Sequence, residues 1–83
     1  MKIQVRYFAS VREALGLSSE QVDTGAATLA ALRLELIGRG GAYAEVLAPG
    51  RALRAALDQT MADESTALTE GAEVAFFPPV TGG

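Results

Sequence analysis

A chain of 83 residues, 49% of them hydrophobic, suffices for one folded domain with a thin core and leaves no room for a second. It contains neither cysteine nor histidine, which excludes disulfides, thiol nucleophiles, thiolate or imidazole metal sites and the commonest general base. The net charge of −3, with seven scattered Lys and Arg, argues against a nucleic-acid partner.

In chain order, Lys2 to Phe8 reads as a strand with Ile3, Val5 and Tyr7 on one face and Lys2, Gln4 and Arg6 on the other. Ser10-Val11-Arg12-Glu13 has the form of a capping box and predicts a short helix ended by Gly16. Ser18 to Val22 is a second short strand. Thr28 is the expected N-cap of the longest helix, about Leu29 to Arg39, with Leu29, Leu32 and Leu36 facing inward and Arg33 and Glu35 turned away. Tyr43 to Leu47 forms another helical turn before Pro49-Gly50. Arg51 to Met61 is ambiguous: its Ala and Leu content favours helix, its alternation favours strand. Glu70-Gly71 marks a turn, and Glu73 to Phe77 is a final strand, stopped by Pro78-Pro79. The order suits an α+β roll, a mixed sheet with one main helix on one face.

The ten carboxylates are spread out, without the spacing of a calcium loop, so no metal site is expected. Gly38-Arg39-Gly40-Gly41 follows a helix and lacks the Lys-Ser/Thr of a phosphate loop; a helix C-cap is the better reading. Met1-Lys2 leads directly into the first strand without an apolar signal region, and no apolar run approaches the ~20 residues of a membrane helix. A cytoplasmic protein without a membrane partner is expected.

The most informative segment is the last one. An apolar strand runs into two prolines, then Val80 and Thr81, and stops at Gly82-Gly83. Small residues at a terminus are commonly just frayed chain. Here the prolines favour an extended path, and the six residues from Pro78 reach at most about 20 Å. Glycines pass where other side chains are too wide. Such a tail suits delivery of the terminal carboxylate into another protein's active site. Phe8 and Phe77 fall on the polar faces of their strands. If those strands are neighbours, the two rings form an exposed patch beside the tail, which Met61 extends as an adaptable contact.

Gly71-Ala72-Glu73-Val74-Ala75-Phe76-Phe77-Pro78-Pro79-Val80-Thr81-Gly82-Gly83, with Val5-Arg6-Tyr7-Phe8-Ala9-Ser10-Val11-Arg12-Glu13 near the start, resembles the small subunits of molybdopterin synthase, the sulfur carriers of molybdenum cofactor synthesis. The resemblance spans the whole chain. Two positions depart from it: Ala72 stands where Asp is usual, and Asp58 where Asn is usual. It implies a ubiquitin-like β-grasp over residues 1–78, with a flexible Gly-Gly tail over 79–83 and a strand over Leu53 to Leu57. It further implies that an ATP-dependent adenylyltransferase, related to ubiquitin-activating enzymes, adenylates Gly83. A persulfide donor's sulfur then displaces AMP to leave a thiocarboxylate. That group donates sulfur to a cyclic pyranopterin precursor on the large synthase subunit, in a heterotetramer. Gly82 and Gly83 are then the reactive end, and Phe8, Met61, Phe77, Pro78, Pro79, Val80 and Thr81 the partner-binding residues. No permanently bound cofactor is expected, ATP being used by the activating enzyme, and the catalytic groups are expected on the large subunit. The alternatives are a carrier for another product, such as the thiamine thiazole or a thiolated tRNA base, a ubiquitin-like modifier of lysines, and a binding module whose tail is never activated.

Overall fold

A computed structural model describes residues 1–79. The elements are β1 (Lys2–Tyr7), α1 (Ala9–Leu15), β2 (Ser19–Asp23), α2 (Leu29–Ile37), α3 (Gly41–Val46), β3 (Arg54–Leu57), β4 (Thr60–Ala62) and β5 (Glu73–Phe77). The five strands form one mixed sheet in the order β2-β1-β5-β3-β4. The two termini of the fold lie side by side at its centre, because β1 and β5 pair in parallel with Val5 opposite Val74 and Tyr7 opposite Phe76. The other pairings are antiparallel.

Alternation in β1 and β5 sends Ile3, Val5, Tyr7, Val74 and Phe76 to one face, where all are buried. Leu29, Leu32 and Leu36 of α2 meet them with no exposed surface. Each such leucine contributes about 1.5–3 kcal/mol through apolar burial. Thr28 caps α2 as expected, its hydroxyl accepting from the Ala31 N–H at 3.2 Å. The helix ends at Ile37, two residues early, because Gly38 turns the chain and the Arg39 and Gly40 N–H groups bond back to Leu36 and Ile37.

Three expectations need correction. Ser10 does not cap α1. The extended strand conformation continues to Phe8, which is itself the N-cap, and its carbonyl accepts from Val11 and Arg12. Ser10 is therefore already inside the helix, and the turn into it places Ala9 at φ +51°, uncommon for a residue with a Cβ. Arg33 does not face away: it is 7% exposed. The chain from α3 to β3 passes over α2 at that position and presents carbonyls that only a long donor reaches. The Arg33 Nε donates to Leu47 O at 2.7 Å, Nη2 to Ala48 O at 2.6 Å and Arg51 O at 3.2 Å, and Nη1 to Glu64 at 3.1 Å. Finally, the strand expected over Ser18 to Val22 is displaced by one residue, since β1 pairs Arg6 with Ser19 and Lys2 with Asp23.

The ambiguous stretch is two strands. Arg54–Leu57 is held between β5 and β4, so sheet pairing overrides its helix propensity. Asp58 and Gln59 both have positive φ, +50° and +68°, as a two-residue type I′ hairpin requires. Asp58, where the resembling family has Asn, accepts the Glu73 N–H at 2.9 Å and so keeps the side-chain acceptor at this turn. Ala72 is 3% exposed and belongs to the core.

Candidate docking face and tail root

Helices cover only one face of the sheet. The pairing register sets out the other. Arg6 lies opposite Ala75, Ala75 opposite Ala56, and Ala56 opposite Met61, so these four form one row across β1, β5, β3 and β4. One step toward the end of β5, Phe77 lies opposite Arg54. Phe8 continues the extended path of β1, its N–H donating to Phe76 O at 3.2 Å. The Arg6 guanidinium sits over the Phe8 ring, 5.5 Å from its centroid, which places Phe8 on the same open face.

The sequence-predicted residues Phe8, Met61 and Phe77 therefore share one side of the sheet. Phe8 is 40% and Met61 58% exposed, and Phe77 is half-buried. Ala56 and Ala75 between them have no bulk, so the patch has a flat floor with aromatic and thioether sides. Pro78 and Pro79, half-buried, lead the chain off β5 at the edge of this patch. Val80, Thr81, Gly82 and Gly83 lie outside the described residues.

Sequence reasoning missed Arg6, Arg54, Ala56 and Ala75 as members of this face. Only the strand register brings them together, and no local signal carries it. It also missed a polar cluster that fixes the other side of β1. Glu20 accepts from the Tyr7 hydroxyl at 2.8 Å, the Tyr43 hydroxyl at 2.7 Å and Arg39 Nη1 at 2.8 Å. Burial, with the Glu20 carboxylate beside it, pushes the Tyr7 hydroxyl up, so it remains a donor. Partial burial alone raises Glu20, but the hydrogen bonds from Arg39, Tyr43 and Tyr7 outweigh it and hold the carboxyl below its ordinary value. The cluster ties α3 to β1 and β2, and so steadies the strand that ends in Phe8.

Among the described residues, no group of three or more acidic side chains is placed to hold a metal ion, and no helix is long and apolar enough to cross a membrane. What the site offers is an exposed apolar surface beside Pro78 and Pro79, from which the Val80-Thr81-Gly82-Gly83 segment follows in the sequence.

A mixed five-stranded sheet with a parallel central pair and its main helix across one face is the ubiquitin-like β-grasp. Residues 5–83 match the ThiS family, and the chain belongs to it. It is 43% identical over 81 residues to the molybdopterin synthase sulfur carrier subunit of Escherichia coli strain K12, covering 98% of this chain and 99% of that one. Among solved structures it is similar to SAMP1 of Haloferax volcanii, with a TM-score of 0.78 and 25% identity over the whole of both chains. It is also similar to a chain of the complex of subunits 1 and 2 of the molybdopterin-converting factor of Helicobacter pylori, with a TM-score of 0.69 and 27% identity, again over the whole of both chains.

Proposed function

We propose that this chain is the sulfur carrier of a molybdopterin synthase, docking through the Phe8, Phe77 and Met61 face and delivering sulfur at Gly83. The observation that carries this reading is the placement of that exposed patch at the root of the Pro78-Pro79 exit, in a chain 43% identical to a carrier of that name.

A free carboxylate is a poor acyl donor, because oxide would have to leave. Adenylation by an ATP-dependent activating enzyme replaces that leaving group with AMP. The terminal sulfur of a persulfide then displaces AMP to give an acyl disulfide, and a thiol of the donor system cleaves its S–S bond, forming a disulfide and leaving the thiocarboxylate on Gly83. On the large subunit this sulfur attacks the pyranopterin precursor, water cleaves the resulting thioester to return the Gly83 carboxylate, and two charged carriers supply the two sulfurs of one dithiolene. With no Cys or His in the chain, acid–base groups come from the partners. The carrier's own contribution is alignment of the nucleophile, which is worth roughly 7–11 kcal/mol when the geometry is good.

The test is affinity for the cognate large subunit. Phe77→Ala removes a central aromatic anchor from a face that makes no part of the core, so thermal stability changes little. Binding weakens by about 30-fold, the scale of a hot-spot residue. Unchanged affinity in a folded Phe77→Ala chain would count against docking through this face. The likeness to SAMP1, the small archaeal modifier protein 1, supports a second reading, in which Gly83 is joined to lysines of other proteins. Isopeptide-linked Gly83 without any thiocarboxylate would favour it.

A further inference from the structure

The open face is charged unevenly along the strands. At the tail end, Arg6 and Arg54 flank the two phenylalanines, Arg6 over the Phe8 ring and Arg54 directly across from Phe77. Toward the opposite end stand Glu73, Asp58 and Glu70, with Lys2 and the Met1 ammonium beside them. The whole chain carries −3, so cations gathered round the tail's exit run against its overall charge. Arg6 has one acidic neighbour on the face, Glu73 at 3.9 Å, a long and exposed contact of small worth. None of the ion pairs among the described residues includes Arg54. Arg54 and Met61 also line a groove of about 430 Å³ whose walls include the core-facing Ala55 and Phe76. Asp63 and Glu64 line it too, and Glu64 pairs with the buried Arg33.

From this arrangement we infer that Arg6 and Arg54 select the partner: the large subunit presents carboxylates around an apolar centre, one of them meeting the Arg54 guanidinium. The inference rests on the docking reading above and adds the chemistry of the surface that docks. Arginine suits the role because its planar fork takes a carboxylate in a bidentate pair while its stem lies on apolar surface. Opposite charge at the two ends of one face also gives docking a direction. The anionic end repels an acidic partner, so the tail end, and with it the chain leaving β5, is the end that engages.

The test measures binding of the full-length carrier to the cognate large subunit at low and at physiological salt. Three variants are compared: Arg54→Glu, Arg54→Lys and Lys2→Glu. Arg54→Glu and Lys2→Glu change net charge equally but sit at opposite ends of the face. Arg54→Glu is expected to weaken binding at least ~10-fold and to flatten its salt dependence, while Arg54→Lys retains most of the association rate and Lys2→Glu stays within about 2-fold of the parent. Thermal unfolding at the parent's temperature certifies that each variant is folded. Equal binding by Arg54→Glu and the parent would overturn the inference and leave the docking reading standing, as would equal losses from Lys2→Glu and Arg54→Glu, which mark net charge alone. A parent chain that does not bind the large subunit would remove both.

Discussion

Deleting Gly83 is expected to reduce thiocarboxylate formation by at least 100-fold while leaving the fold unchanged. The tail is a ruler. Six residues from Pro78 span at most about 20 Å, and one residue fewer draws the carboxylate back by about 3.5 Å. Misplacing a reacting group by even ~1 Å can cost on the order of 10²-fold. Gly82→Ala keeps the length and adds one methyl where the channel must be narrow, so its expected effect is of similar direction and smaller size. Both changes fall beyond Pro79, after the last residue of β5 in the sequence, so thermal unfolding serves as the control and mass spectrometry of the terminus as the readout. A chain lacking Gly83 that is converted at the parent's rate would show that the position of the carboxylate does not matter.

Arg33→Met is expected to lose about 3–5 kcal/mol of stability. The guanidinium is the shared donor for the carbonyls of Leu47, Ala48 and Arg51 and for the Glu64 carboxylate. Methionine fills much of the volume but donates nothing. Ala48 O keeps the Arg51 N–H at 2.9 Å, but the Leu47 and Arg51 carbonyls lose this donor, at about 1–3 kcal/mol each wherever water cannot reach them. For a domain of this size such a loss lowers the unfolding temperature by about 12 °C or more. Glu64→Gln is the informative comparison. Glu64 is half exposed, so its ion pair with Arg33 is worth about 1 kcal/mol or less. If Arg33→Met and Glu64→Gln cost the same, the pair and not the three carbonyls holds the loop.

Arg33 also marks where the sequence stops being legible. Its charge pointed to solvent, although its place four residues after Leu29 and three before Leu36 sets it on the flank of the inward stripe. The chain from α3 to β3 covers that side of the helix, and nothing local announces it. Leu34 is the mirror case, apolar by composition yet 61% exposed beside it. Elements with a local cause were readable: the alternation of β1 and β5, the Thr28 cap, the Gly16 cap at φ +75° and the Pro78-Pro79 stop. Arg54–Leu57 was not, because its helix propensity and its strand alternation oppose each other and only pairing with β5 decides. For the site, Phe8 and Phe77 were legible as apolar residues on polar faces. Their arginine neighbours were not, since an arginine on a strand's polar face is ordinary until register sets it beside an aromatic ring.

The most direct test of the central claim is intact-protein mass spectrometry of the chain after incubation with ATP, the cognate activating enzyme and a persulfide sulfur donor. The account predicts a mass gain equal to the exchange of one oxygen for sulfur, located on Gly83 and dependent on ATP. An unchanged mass, with an activating enzyme that charges a known carrier under the same conditions, would contradict it.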